Sequence, residues 1–244
     1  MTDAVANHES GVTAHALKVL SAGAVKRGVA QIAENYQRQC GRPVTVVFDT
    51  APNLARRLAD GEAADVVVLP PRYVDQLIAR GVTASAPRGM IGRSRIGLIV
   101  RHGVALPDIA AVDGLARIVS VADAIVYNSA SSGLYVEELL ARLGLAAALR
   151  ERGRKVNSGA AVMEAVAAHS GNAIGFGQLS EIRVQIDKGV AVQLAGPLPD
   201  AIQNATPYEA VVATSSRDAQ LAAGLVAALS SQDARARFAL TGID

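Results

Sequence analysis

The stretch "PVTVVFDTAPNLARRLADGEAADVVVLP", residues Pro43 to Pro70, decides the fold of this chain. Its β-branched first segment, Pro43–Thr50, predicts a strand, and the apolar run Ala64–Pro70 predicts a second, buried strand. A short helix is expected between them, starting at Asn53 or just before it. Because two parallel strands need a crossover connection, usually a helix, this order favours an α/β fold.

The same alternation of strands and helices continues on both sides of that stretch. Upstream, Leu17–Gly23 predicts a strand and Val25–Gly41 predicts a helix whose C-terminal cap is Gly41. Downstream, a helix is expected at Gly159–Gly171. Further strands are expected at Arg95–Arg101, Ala116–Ala122, Ala173–Gln178, Val190–Pro199 and Thr206–Thr214. Two sets of short strands, each followed by helices, predict two α/β lobes.

Composition excludes several classes of function. The chain has 244 residues and a net charge of +2, and it contains no block of Lys and Arg interleaved with aromatics, which argues against a nucleic-acid partner. Its single cysteine, Cys40, excludes an intramolecular disulfide and a Cys-rich metal site. No run approaches ~20 uninterrupted apolar residues, so membrane insertion is not expected. The polar segment Met1–Ala16 does not resemble a secretory signal, and a cytoplasmic location is expected.

Known cofactor and catalytic motifs are also missing from the sequence. It contains no H-E-x-x-H, acidic calcium loop or phosphate-binding P-loop, so neither a metal nor a nucleotide cofactor is expected. The four histidines lie far in sequence from the serine-rich turns, and therefore no Ser-His-Asp arrangement is predicted.

Polar and small residues cluster where predicted strands run into predicted helices. Four such junctions are Ser21–Ala24, Asp49–Asn53, Tyr127–Gly133 and Asn157–Ala161. One hydroxyl at a helix start is explained by N-capping alone. Four junctions in two lobes form a pattern, because ligands of open α/β sheets bind at the carboxyl ends of the strands and helix N-termini favour anions. The sequence therefore predicts a cleft for a small organic carboxylate or oxyanion.

Three motifs resemble those of a known family. The segment "AENYQRQCGRPVTVVFDTAPNLARRLADGEAADVVVLP" (Ala33–Pro70) resembles the first lobe of type II periplasmic solute-binding proteins, especially the molybdate-binding branch. "SASSGLYVEELLARLGL" (Ser129–Leu145) and "GNAIGFGQLSEI" (Gly171–Ile182) resemble the second lobe. The resemblance extends from Leu17 to Asp244. It implies two lobes, each a mainly parallel sheet flanked by helices, with the ligand cleft between them: residues 1–93, then 94–206, then a return at 207–244.

Departures from the molybdate pattern imply a different ligand. Ala24 and Gln178 stand where that branch has a ligating serine and a ligating tyrosine. "SRIGLIVR" (Ser94–Arg101) and "FALTGID" (Phe238–Asp244), together with the serine-rich stretch, resemble a side branch that includes aconitate isomerase. This resemblance implies a cofactor-independent isomerase that shifts the double bond of a small unsaturated di- or tricarboxylate. The alternative is a molybdate-binding-like substrate-binding protein that serves an ABC permease, or a cytoplasmic small-anion sensor without catalysis.

Such an isomerase needs a base, and it needs donors for the carboxylates and for the developing enolate-like charge. Asp49, at a predicted strand end, and Tyr208 are the candidate catalytic residues, although strand-end solvation and core packing would explain them equally well. Arg95 lies where the chain would cross between lobes and is expected to neutralise a carboxylate, the alternative being a salt bridge between the lobes. The candidate substrate-binding residues are Ser21, Thr50, Ser129, Ser131, Ser132, Gly133, Arg95 and Gln178.

Overall fold

The computed structural model describes residues 15–244, which form two five-stranded sheets. The first sheet has the strand order β2-β1-β3-β10-β4. Its strands are β1 Leu17–Ala22, β2 Val44–Asp49, β3 Val66–Leu69, β4 Thr83–Ser94 and β10 Thr206–Ala213. The second sheet has the order β7-β6-β8-β5-β9. Its strands are β5 Ile96–Arg101, β6 Ala124–Asn128, β7 Gly153–Val156, β8 Ala173–Gln178 and β9 Val192–Pro197.

Helices cover the faces of both sheets. The helices of the first lobe are α1 Lys26–Cys40, α2 Ala51–Ala59, α3 Pro71–Ala79, α9 Ala219–Ser230 and α10 Gln232–Leu240. Those of the second lobe are α4 Val112–Val121, α5 Ser131–Arg142, α6 Ala146–Arg152, α7 Gly159–Ala168 and α8 Leu179–Asp187. A 3₁₀ turn, Gly23–Val25, leads into α1, and a second one occupies Asp200–Ile202.

Strand directions confirm the predicted two-lobed fold. In the first sheet β1 is parallel to β2 and β3, whereas β10 is antiparallel to both of its neighbours, β3 and β4. In the second sheet β6 is parallel to β7 and β8, and β5 is antiparallel to both β8 and β9. Four strands of each sheet therefore point the same way, so that their carboxyl ends share one edge.

The chain passes between the two sheets twice. It leaves the first sheet between Ser94 and Ile96, and it returns between Pro197 and Thr206. The predicted lobe boundaries, at 93/94 and 206/207, lie next to these two crossings. They stay a prediction.

Apolar strands between helix layers account for the core of the first lobe. All four residues of β3, Val66–Leu69, are inaccessible to solvent, as expected for a strand covered on both faces. On α1, Val29 and Ile32 face this core, which matches the predicted helical spacing. Gly28 allows α1 to approach α10, because a Cβ atom at this position would lie 2.2 Å from the Phe238 ring.

One predicted strand is wrong. Residues Ala116–Ala122 lie mainly in α4, and the strand is the next segment, β6. Leu115 and Val119, four residues apart, are both fully buried, which is the spacing of a helix face. A short apolar run does not distinguish a helix from a strand, so the pattern was ambiguous. The start of α5 still follows a strand end, as expected.

Helix lengths in residues 15–244 have a bearing on membrane insertion. None of the helices in this range is both long enough and apolar enough to cross a membrane. The expected cytoplasmic location rests on Met1–Ala16, of which residues 1–14 lie outside the described range.

Candidate functional site

A cleft with a cavity volume of about 360 Å³ lies between the two lobes, at the edge where strand ends run into helices. The first lobe lines it with Ala22, Gly23, Ala24, Lys26, Phe48, Asp49, Thr50, Ala51, Asn53 and Tyr208. The second lobe lines it with Ala130, Ser131, Ser132, Asn157, Ser158, Gly159, Ala160, Gln178, Glu181, Val184, Gln185 and Lys188. Six of the ten predicted site residues are among them: Asp49, Thr50, Ser131, Ser132, Gln178 and Tyr208.

Several helices begin at this cleft. The first residues or N-caps of α2, α5, α7 and α8 line it, as does the 3₁₀ turn before α1. The first turns of α1, α2, α5 and α7 carry no acidic residue. Because the N-terminus of a helix carries a partial positive charge, this arrangement attracts anions.

Two lysines add positive charge at the cleft. Lys26 and Lys188 are both exposed, and the Lys26 ammonium lies 5.3 Å from the centre of the Phe48 ring. Within residues 15–244, neither ammonium forms an ion pair with a carboxylate. Both ammonium groups therefore remain able to pair with the carboxylates of a ligand.

The serine-rich stretch contributes two hydroxyls, and neither caps α5. The N-cap of α5 is Ala130, which makes no side-chain capping bond. The hydroxyl of Ser131 accepts a hydrogen bond of 2.9 Å from the Arg72 guanidinium of the first lobe. Ser132 is buried, and its hydroxyl lies 3.3 Å from Nδ2 and 3.4 Å from Oδ1 of Asn128. Both serines thus line the cleft, and neither hydroxyl caps the helix.

Thr50 also lines the cleft without capping its helix. It is the N-cap residue of α2, but its side chain makes no capping bond. Ser158 shows the contrast, because its hydroxyl accepts a 3.2 Å bond from the N–H of Ala161 at the start of α7. The hydroxyl of Thr50 is therefore available to a ligand.

Gln178 carries an unsatisfied acceptor in the cleft. The residue is 3% exposed, and its Nε2 donates a 3.3 Å bond to the hydroxyl of Thr206. Its Oε1 is buried and has no partner among residues 15–244. An unpaired buried polar atom costs about 1–3 kcal/mol.

Asp49 lies in the cleft wall, where other residues already occupy its carboxylate. Oδ1 accepts bonds from the N–H of Thr50 at 2.7 Å and from Asn53 at 3.1 Å, and Oδ2 accepts one of 3.1 Å from Arg57. Arg57 is held in turn by Glu62 at 2.6 Å. This geometry favours a structural role for Asp49 at the start of α2, and its catalytic role stays a prediction.

Tyr208 is buried in the cleft wall, 3% exposed. Its pKa is raised far above the ordinary value, first by burial and second by the nearby charge of Glu181, while Arg72 opposes the rise. Its phenol therefore stays protonated and neutral at physiological pH.

Glu181 lines the cleft, although no sequence motif marks it as a site residue. It is the third residue of α8 and partly buried, and burial raises its pKa to about 7. Its carboxylate lies against two glycines: a Cβ atom at Gly159 would be 2.0 Å from Oε2, and one at Gly23 would be 3.1 Å from Oε1. A glutamate in the first turn of a helix is common, so the sequence offers an ordinary explanation for it.

Similarity to known proteins shows which family the chain belongs to. A family model described as bacterial extracellular solute-binding protein matches residues 17–244. The chain belongs to this solute-binding family. An aconitate isomerase from Pseudomonas sp. is 30% identical over 224 residues, which cover 89% of this chain and 83% of that enzyme.

Solved structures of this fold include a molybdate-binding protein and a sulfate-binding protein. The periplasmic molybdate-binding protein of Azotobacter vinelandii matches with a TM-score of 0.77 at 19% identity, over 93% of this chain and 98% of that one. The sulfate-binding protein of Mycobacterium tuberculosis matches with a TM-score of 0.75 at 16% identity, over 93% and 86%. At these identities the likeness establishes the fold shared by the solute-binding family.

Two residues of this solute-binding protein that were predicted to bind the substrate lie outside the cleft. Ser21 is fully buried inside β1, and its hydroxyl bonds the carbonyl of Ala22 at 3.2 Å. Ser129 is exposed beyond the end of β6, where its N–H donates to the carbonyl of Val156. Neither residue is among those that line the cavity.

Gly133 and Arg95 also have other roles. A Cβ atom at Gly133 would lie 1.6 Å from the carbonyl oxygen of Asn128, so this glycine allows α5 to pack against the end of β6. The Arg95 guanidinium pairs with Asp244 at 3.1 Å and with Asp200 at 3.8 Å. Carboxylates of the protein therefore already balance its charge, and the expectation that it lines the cleft is corrected.

Direct contacts join the two lobes of this solute-binding protein beside the cleft. Ser180 of α8 donates to the carbonyl of Ala24, and its hydroxyl lies 3.1 Å from that of Ser94. Arg27 of α1 forms an ion pair with Asp187 of α8. Among residues 15–244, no group of three His, Cys, Asp or Glu side chains is arranged to hold a metal ion.

Proposed function

We propose that this protein binds a small unsaturated di- or tricarboxylate between its lobes and shifts the double bond without a cofactor. The observation that carries the proposal is Glu181, a partly buried carboxyl in an anion-attracting cleft, with a pKa of about 7. A general base is most effective when its pKa lies near the working pH. The 30% identity to an aconitate isomerase supports the same chemistry.

Carboxylates of the substrate have several partners in the cleft. Lys26 and Lys188 supply charge, the hydroxyls of Thr50 and Ser131 supply hydrogen bonds, and the helix N-termini supply N–H groups. A cavity of about 360 Å³ lies at the small end of the range for ligand pockets and suits a molecule of this size.

The proposed reaction moves one proton within an allylic unit, –CH₂–C=CH–. Ionised Glu181 takes a proton from the CH₂ carbon, and that electron pair forms the new double bond to the central carbon. The old double bond becomes an electron pair delocalised into the adjacent carboxylate, and the former vinyl carbon then takes a proton back from Glu181. No atoms are gained or lost. Neutral Tyr208 donates a hydrogen bond to the developing enolate-like charge.

A receptor or sensor without catalysis is the second candidate. The contacts between the lobes, such as the bond from Arg72 to Ser131, favour it because they join the two walls of the cleft, as a binding clamp needs, without requiring chemistry. A receptor that serves an ABC permease would return its ligand unaltered.

An absorbance assay with trans-aconitate and related unsaturated acids distinguishes the two candidates, with chromatography of the products. We expect conversion by the wild-type protein without added metal or nucleotide, and a loss of roughly a hundredfold or more in Glu181→Gln. Glu164→Gln is the matched control, because Glu164 is an exposed glutamate of α7 outside the cleft. Tight binding of one of these acids without any conversion would leave the receptor or sensor.

A further inference from the structure

We propose that Glu181 is an internal anion that excludes compact inorganic oxyanions from the cleft, so that the protein selects ligands presenting an uncharged atom at that position. This inference concerns ligand selection and goes beyond the chemistry proposed above.

The position of the Glu181 carboxylate is the first observation. A Cβ atom on Gly159, the first residue of α7, would lie 2.0 Å from Oε2 of Glu181. A Cβ atom on Gly23, in the 3₁₀ turn of the other lobe, would lie 3.1 Å from Oε1. The carboxylate therefore lies between the lobes, against the start of α7, where a bound anion would gain most from the helix N-terminus.

The orphaned oxygen of Gln178 is an independent second observation. This Oε1 is buried and has no partner within residues 15–244, and Gln178 is one of the residues that line the cleft. An ionised oxyanion such as molybdate or sulfate offers only acceptor atoms, so it satisfies neither this oxygen nor the carboxylate of Glu181. A ligand that presents an uncharged C–H group at this wall avoids the repulsion between two negative charges.

The charged groups around Glu181 determine how strongly its carboxylate repels a bound anion. Tyr208 on β10 is a neutral phenol close to Glu181, and the charge of Arg72 on α3 also acts on this phenol. Lys26 of α1, Lys188 of α8 and Asp49 at the end of β2 line the same cleft. The lysines are exposed, so solvent screens them more than it screens Glu181.

Ionised Glu181 thus opposes a dianion placed beside it. A pair of like charges a few Å apart near a protein surface weakens binding by more than about tenfold. Protonation of Glu181 as the pH falls below about 7 removes this repulsion. Affinity for a permanent dianion should therefore rise as the pH falls.

Isothermal titration calorimetry with sodium sulfate and sodium molybdate tests the inference. At about pH 8 we expect Glu181→Gln to bind either anion about five- to tenfold more tightly than the wild-type protein, because about a tenth of the wild-type molecules are still protonated at Glu181. The control Glu164→Gln removes a charge outside the cleft and should leave both affinities unchanged. Equal affinities of Glu181→Gln and the wild-type protein would overturn the proposal.

A second measurement needs no variant. Sulfate remains a dianion between about pH 5.5 and pH 8, and we expect wild-type sulfate affinity to fall about five- to tenfold across this range as Glu181 ionises. A pH-independent affinity would also overturn the proposal. If sulfate binding behaves as expected while no unsaturated acid is converted, ligand selection stands and the isomerase proposal fails. The opposite pair of results retains the isomerase and removes the internal anion.

Discussion

Replacing Glu181 with glutamine should stabilise the folded protein at alkaline pH. Burial raises the pKa of Glu181 from its ordinary value of 4.5 to about 7, so the folded state holds this proton more tightly than the unfolded state does. The contribution of Glu181 to stability is therefore fully present below about pH 4.5 and is lost as the pH rises through about 7. Glutamine carries no charge at any pH and lacks this loss.

The magnitude follows from the two pKa values. A difference of one pH unit corresponds to about 1.4 kcal/mol, so the upper limit is about 3 kcal/mol. Glu181 is only partly buried, and water screens part of the effect. We therefore expect Glu181→Gln to gain about 1–2 kcal/mol over the wild-type protein at about pH 8 relative to the difference at about pH 5.

Urea unfolding at both pH values measures this gain, followed by circular dichroism. Glu164→Gln should follow the wild-type curve, because Glu164 is exposed. Parallel pH profiles for Glu181→Gln and the wild-type protein would refute the reasoning, since they would mean that folding does not perturb this carboxyl.

Three further substitutions test the walls of the cleft. Gly133→Ala places a Cβ atom 1.6 Å from the carbonyl oxygen of Asn128 and should cost about 3 kcal/mol or more, measured by the urea midpoint; an unchanged midpoint would contradict the packing role. Ser132→Ala removes the buried partner of Asn128 and should cost about 1–3 kcal/mol of stability, and it should lower turnover of an unsaturated acid about a hundredfold; unchanged turnover would remove this hydroxyl from the site. Gly159→Ala should push the Glu181 carboxylate away and lower turnover with little loss of secondary structure; full activity would show that its position is unimportant.

Local patterns predicted much of the fold. The strands near Leu17 and Ala173 and the helix α1 were expected within a few residues, because their apolar periodicity and caps are local. The strand β4 was not expected, since "TASAPRGMIGRS" contains Pro and two Gly and its extended form depends on pairing with β10. Segment 116–122 was assigned to the wrong type of element because the run was short.

The candidate site was predicted where it depends on strand ends and was missed where it depends on tertiary packing. Thr50, Ser131 and Ser132 follow strands, and topology alone brings them to one edge. The environment of Glu181 is made by glycines in two other segments, which no local pattern reveals. The sequence placed Arg95 in the cleft, whereas in the structure it pairs with Asp244. This pairing exists only in the folded chain, so no local pattern reveals it.

Deuterium incorporation tests the central claim most directly. The wild-type protein is incubated with trans-aconitate in D₂O, and proton NMR follows the substrate and the cis product. A proton shift through Glu181, whose carboxyl can exchange with solvent, predicts cis product with deuterium at the newly formed CH₂ carbon, and almost none of it with Glu181→Gln. Unaltered, deuterium-free trans-aconitate in the presence of folded protein that binds it would contradict the account.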